Sequence, residues 1–273
     1  MEVVSATLGK STNLFPNRRD RAADLIPRYP HAAEMLRLYQ RLALLQFGAY
    51  EAAYARSLAL DEIPDFVVKW VPAVVDATVA LGPARLRDGI ISVFCTADLK
   101  ALIRRWLDQE TLNPFETYLA RASAGPMLEE VICSLTQKFP PRLAGEGQAG
   151  GSTCPACGGL PQLSYFAVSG EALVSGPRYL VCSRCATNWI FSRMMCASCG
   201  ESNGTKLPIY QEQEQFPHAR VDGCQTCRKY LLTFDLRRDT RAVPIVDEIA
   251  SLPLDLYARD QGLTKITPNL MGN

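Results

Sequence analysis

Eight of the ten cysteines in this 273-residue sequence form four Cys-x-x-Cys pairs: Cys154/Cys157, Cys182/Cys185, Cys196/Cys199 and Cys224/Cys227. A two-residue gap lets one tight turn offer two sulfurs to a single ion. Two such turns complete a tetrahedron of thiolates that suits zinc or iron. Adding 42 to each position of the first two pairs gives the other two, and 24 residues separate the pairs within each half. Gly158 and Gly200 follow the first and third pairs, Ala186 and Arg228 the second and fourth. A glycine there permits a positive φ, so backbone N–H groups can turn toward sulfur. The offset favours Cys154, Cys157, Cys182 and Cys185 as one site and Cys196, Cys199, Cys224 and Cys227 as another. A rival pairing joins the second pair to the third across ten residues, and spacing alone leaves it open.

Two metal ions, each held by four cysteines, are therefore expected, because segments this small bury little core without one. Unmetallated thiols or reversible disulfides are the alternative, which a reducing compartment disfavours. The start, "MEVVSATLGK", lacks a basic stretch followed by an apolar one, so no secretory signal is read and a cytoplasmic location is expected. The apolar window from Ile63 to Leu81 carries Asp65, Lys69 and Asp76, which suits a core helix and not a membrane span.

The elements that must position these sites change character along the chain. Residues 30–139 read as helices. Met35, Leu38, Leu42, Leu45, Ala49 and Ala52 form one stripe, and Leu99, Leu102, Ile103 and Trp106 another. Asp98 reads as an N-cap, and Asn113, Pro114 and Glu116 as a capping box. Pro126 is expected to open a further helix carrying Val131, Ile132, Leu135 and Phe139. "PPRLAGEGQAGGST", 140–153, is a Gly- and Pro-rich linker, which suggests that few contacts hold the two halves together. Short β-like stretches follow, "RYLVC", "NWIF" and "KYLLTF", before the helical period returns in "PIVDEIASLPLDLYARDQG". The fold class is α+β: a helical domain (1–139), the linker, two tandem zinc-ribbon-like four-cysteine modules (154–190 and 191–235) and a C-terminal helical segment (236–273).

Charge is balanced, 29 basic against 28 acidic residues overall and 12 against 11 from residue 151 onward. A nucleic-acid-binding zinc ribbon would be basic, so that role is disfavoured. No Ser/His/Asp set, carboxylate pair or phosphate loop stands out, and two histidines leave few candidates for acid–base catalysis. The chain is expected not to be an enzyme. Cys95 and Cys133, isolated among apolar neighbours, read as buried small hydrophobes. His31 reads as a surface or capping residue and His218 as a solvated loop residue. Trp189 and the pair Met194–Met195 read as packing or, if exposed, as anchors for a partner. "RKYLLTFDLRRDTR" reads as a solvated edge strand.

"CPACGGLP", "GPRYLVCSRCATNWIFSRMMCASCG", "CQTCRKYL" and "DEIASLPLDLYARDQGL" resemble, in order, the formate dehydrogenase accessory protein family FdhE. Trp189 and Arg193 between the second and third pairs add to the likeness. Asn188 departs from it, standing where an acidic residue is expected before the Trp. The resemblance implies a cytoplasmic assembly factor that binds the catalytic subunit of formate dehydrogenase before export, with rubredoxin-like modules associated with iron. Zinc remains the alternative metal. A redox protein passing single electrons to the client or its cofactor is the rival function.

Overall fold

The computed structural model describes residues 14–138, 151–168 and 176–272. Its first part is helical: α1 (Leu14–Leu25), α2 (Ala33–Arg56), α3 (Ile63–Val67), α4 (Val71–Leu81), α5 (Ala84–Thr96), α6 (Leu99–Leu107) and α7 (Pro114–Lys138). The expected caps form. Asp98 accepts from the N–H groups of Lys100 and Ala101 at 3.0 and 3.1 Å. The Asn113 side chain accepts from Phe115 and Glu116, while Glu116 accepts the Asn113 N–H, all at 3.0 Å. The apolar pattern does not mark α1, because its buried face includes Arg18 and Arg21.

Pro126 does not open a new helix; α7 runs through it. A proline inside a helix orphans the carbonyl four residues back. Here that carbonyl belongs to Ala122, and the buried Gln46 side chain of α2 donates to it at 3.1 Å. The lost bond is thus replaced from a neighbouring helix. Val131 and Ile132 are buried as expected, Leu135 is exposed, and Phe139 lies outside the described residues, as do residues 140–150 of the expected linker.

The second part is a sheet: β1 (Pro161–Phe166), β2 (Arg178–Cys182), β3 (Asn188–Phe191), β4 (Ile209–Tyr210), β5 (Ala219–Gly223) and β6 (Lys229–Asp235). Two helices, α8 (Pro244–Ala250) and α9 (Leu252–Asp260), and the short β7 (Thr264–Lys265) complete it. The helical segment expected to run unbroken to Gly262 restarts at Leu252. Pro253 sits in the first turn of α9, where its missing N–H costs nothing.

Strand order is β3-β2-β1-β6-β5-β4. The sequence repeat is visible in it as two three-stranded units side by side in the same orientation, fused where β1 pairs parallel with β6. β6 is therefore not an edge strand. It lies between β1 and β5, with five consecutive buried residues. The basic residues that suggested solvent lie at its ends, Arg228 and Lys229 at the start and Arg237, Arg238 and Arg241 beyond it, while "YLLTF" is buried between them.

Covering a sheet on two faces requires the helices, so the halves share their interior. One core cluster combines Leu36, Leu42 and Tyr118 with Leu163, Val221 and Phe234. A second combines Trp106 and Leu128 with Leu180, Trp189 and Leu231. The expectation of sparse contact between the halves does not hold.

A polar ring closes the seam between the two units. Arg178 of β2 donates to Ser164 of β1 at 3.1 Å, Ser164 meets Thr233 of β6 at 2.6 Å, and Thr233 donates to Asp222 of β5 at 2.7 Å. Asp222 returns to Arg178 at 3.1 Å. Four adjacent strands each give one residue, and Arg178 also donates to the Ser192 and Met195 carbonyls. The Arg178 side chain is buried, so removing its counter-ion strands a charge. Asp222→Ala is expected to cost about 3–5 kcal/mol in urea denaturation. A loss below about 1 kcal/mol would mean that the ring is not a structural joint.

Candidate metal centres

Each Cys-x-x-Cys pair sits on a turn built the same way. The first cysteine's N–H bonds the carbonyl five residues on: Cys154 to Gly159 at 2.8 Å, Cys182 to Thr187 at 3.0 Å, Cys196 to Glu201 at 2.8 Å and Cys224 to Lys229 at 2.9 Å. The residue after each pair takes a positive φ: 72° at Gly158, 53° at Ala186, 76° at Gly200 and 57° at Arg228. Glycine adopts this freely, whereas Ala186 and Arg228 do so at a steric cost. The turns around the second and fourth pairs connect the paired strands β2–β3 and β5–β6, and that pairing holds the strained residue in place.

The cysteines gather as the 42-residue offset indicated, Cys154, Cys157, Cys182 and Cys185 in one cluster and Cys196, Cys199, Cys224 and Cys227 in the other. Cys185 is not brought to Cys196. Sulfurs about 2.3 Å from a shared ion in a tetrahedron lie about 3.8 Å apart. In the first cluster Cys154–Cys185 is 3.7 Å, while Cys157–Cys182 and Cys157–Cys185 are 3.4 Å. In the second, Cys196–Cys227 and Cys199–Cys224 are both 3.7 Å. Backbone N–H groups of Arg184 and Ser198 point at the sulfurs of Cys182 and Cys196, each at 3.4 Å. Such donors stabilise thiolate.

Four thiols this close cannot ionise together unaided. Contacts from Cys157, Cys182 and Cys185 hold the Cys154 thiol far below its usual range, while contacts from Cys154 and Cys157 push Cys182 and Cys185 far above it. A cation at the centre removes that competition. Both clusters could hold a metal ion, and their geometry suits zinc and iron equally.

The two clusters differ in their surroundings. The first is set into the shared interior: Cys154, Cys182 and Cys185 are buried among Trp106, Leu180, Trp189 and Leu231. Arg184, between Cys182 and Cys185, donates to the Trp106 and Leu107 carbonyls at 3.0 and 2.7 Å. Its guanidinium lies 5.1 Å from the Trp106 ring centroid. A cation at the C-terminal end of α6 meets unpaired carbonyls and the negative pole of the helix. Gln109 donates to the Cys157 carbonyl at 3.4 Å. The sequence reading missed these two residues, and for Arg184 the only signal was its place inside the Cys pair. The second cluster is more open, with Cys199 exposed and Cys227 partly so.

Other expected residues divide. Trp189 is packed, with its indole N–H bonded to the Gly151 carbonyl at 3.0 Å. Met194 is exposed and Met195 partly buried. His31 is exposed at a helix start, bonded to the Ala250 carbonyl at 2.9 Å. Cys95 is exposed and Cys133 half-buried; α5 buries only Ile90 and Val93, and Cys95 lies off that stripe. His218 is buried, 3.1 Å from Asp247. It joins Asp239 and Asp247 in a third ligand-like group. Arg21 already supplies the cation there, 2.7 Å from Asp239 and bonded to Asp247.

Comparison with known proteins follows the same division. Family models for the FdhE central domain and the FdhE C-terminal domain match residues 153–193 and 194–271 in order. Among curated relatives, the FdhE homologue of Aquifex aeolicus is 36% identical over 119 residues, 44% of this chain and 41% of that protein. The homologue of Pseudomonas aeruginosa is 35% identical over 121 residues, 43% of this chain and 38% of the relative. The chain thus spans about two fifths of the length of the curated relatives it matches. The crystal structure of the FdhE protein from Pseudomonas aeruginosa superimposes with a TM-score of 0.67 over 96% of both chains at 24% identity. That likeness shows the fold, and it extends over the helical half.

Proposed function

The chain belongs to the FdhE family, and on that premise we propose that it is a cytoplasmic accessory factor for formate dehydrogenase. In this reading it binds the enzyme's catalytic subunit during maturation and does not itself oxidise formate. The observation that carries the reading is the pair of four-cysteine clusters built into one sheet across the matched residues 153–271. Metal in the clusters would cross-link four turns and hold the docking surface in shape. Iron is favoured by the family resemblance, with zinc the alternative. Among the described residues no helix is long and apolar enough to cross a membrane.

A second reading rests on the exposure of Cys199. A tetrathiolate iron at the surface can exchange single electrons with a partner, whereas one under the helices is insulated. The visible spectrum of anaerobically purified protein separates the two, because ferric tetrathiolate absorbs and zinc does not.

The binding role is tested with the purified, metal-loaded chain and the catalytic subunit by co-elution in gel filtration. A complex is expected, together with no formate-dependent dye reduction by the chain alone. A folded, metal-loaded chain that ignores the subunit would remove the basis for this function.

A further inference from the structure

Between the inter-module connection and the second Cys unit lies a groove of about 50 Å³, several times the room one water needs. Arg178, Arg193, Arg220 and Lys229 line it, against a single carboxylate, Asp222. Asp222 is already committed. It is 3.1 Å from Arg178 and 2.8 Å from Arg220, and it accepts from Thr233. Among the described residues, neither Arg193 nor Lys229 has an acidic partner within ion-pair distance. Arg193 donates to the Gly176 carbonyl, a neutral acceptor.

The crowding of positive charge continues beyond the groove. The guanidiniums of Arg193, Arg220 and Arg237 lie 4.7, 4.9 and 5.5 Å from the centroid of one ring, Phe166. Three cations around one aromatic ring repel each other, and Asp235 pairs directly with Arg237 while acting on Arg193 only from further off. The chain as a whole carries a formal charge of only +1, so this excess is local. The groove wall is apolar where it meets solvent: Met194 and Ile209 are 63% and 55% exposed, with Leu207 and Pro208 beside them. Exposed apolar side chains next to guanidiniums in excess of carboxylates describe a surface that lacks both an apolar group and an anion.

We propose that this groove takes an extended acidic segment of the client polypeptide. A large apolar side chain would sit between Met194 and Ile209, with carboxylates on Arg193 and Arg220. The proposal rests on the client-binding role above and names the surface and the chemistry that would perform it. Methionine suits such a surface because its unbranched thioether adapts to different side chains. The guanidiniums favour carboxylate by forked hydrogen bonding. An acidic partner would also be steered to the groove by charge, so binding should weaken as salt rises.

The test uses the full metal-loaded chain, its Arg193→Glu and Met194→Glu variants, the formate dehydrogenase catalytic subunit, and short peptides tiled along that subunit. Fluorescence anisotropy at low and moderate salt reads the binding. Met194 is exposed, so its variant tests the surface without disturbing the interior. An unchanged metal-to-protein ratio checks the Arg193 variant. Each substitution is expected to weaken the subunit by about tenfold or more, and the peptides that bind are expected to be acidic. If the parent binds the subunit and both variants match it within about twofold, the groove is wrong while the client-binding role stands. If the parent does not bind the subunit, both fall. Tighter binding of a single-stranded oligonucleotide than of any peptide, or self-association that Met194→Glu abolishes, would give the groove to another occupant and overturn the proposal.

Discussion

Cys182→Ser is expected to unfold the helices as well as the sheet, whereas Cys199→Ser leaves the helical far-UV signal and the first cluster in place. Cys182 and its neighbours in the first cluster are packed against Trp106, Trp189 and Leu231. The same turn closes the end of α6 through Arg184. Structural zinc contributes about 10–16 kcal/mol in isolated zinc-finger peptides, and a folded domain stands only about 5–15 kcal/mol above its unfolded state. Losing one ligand at the buried site therefore removes a large share of the total and puts a hydroxyl into a core both halves need. Cys199 is exposed, so its loss weakens metal holding at the second cluster while the shared core stays covered. A competing chelator should accordingly take metal in two phases, fast from the second cluster and slow from the first, with helix loss accompanying only the slow phase. The measurements are circular dichroism and metal release on one sample. Release in a single phase, or full helicity after the first site is emptied, would restore the picture of independent halves.

Arg21→Met is expected to cost about 3–5 kcal/mol, because it strands buried carboxylates without a counter-ion. The Arg21 guanidinium reaches from α1 to Asp247 at the start of α8 and to Asp239 before it, at 2.7 Å for the latter. Asp247 is also bonded to His218 at 3.1 Å and accepts the Val243 N–H at 2.8 Å. One side chain thus ties the first helix to the segment that follows the last long strand. The partner substitution should soften the effect: Asp247→Asn combined with Arg21→Met is expected to be less damaging than the sum of the two alone, a sign of direct coupling. Urea denaturation of the four proteins measures it. Strict additivity, or a loss for Arg21→Met below about 1 kcal/mol, would show that the pair is incidental.

The cysteine turns and the capped helices were legible in the sequence for one reason: each is a local event. A Cys-x-x-Cys turn closes within six residues, as the repeated bonds from Cys154 to Gly159 and from Cys224 to Lys229 show. The fixed offset then matched one turn to its partner. The caps at Asp98 and Asn113 likewise depend on neighbours three residues away. Where the sequence misled, the deciding partner was distant. Pro126 stays inside α7 because Gln46 takes over the Ala122 carbonyl, a contact across 76 positions. His218 is buried because Arg21 and Asp247 complete an ion-pair network around it.

The sequence by itself determined that eight cysteines form four like turns in two matched sets, and its offset favoured the grouping that the structure then fixed. The tertiary structure alone decided how the two clusters differ. Parallel pairing of β1 with β6, which joins residues 69 positions apart, fuses the repeated units into one sheet. Helices must then cover that sheet's apolar faces. The first cluster lies under them, against Trp106, and the second is left at the rim with Cys199 open to solvent. Two nearly equal stretches of sequence thus acquire unequal burial, since burial depends on what packs against a turn and not on the turn itself.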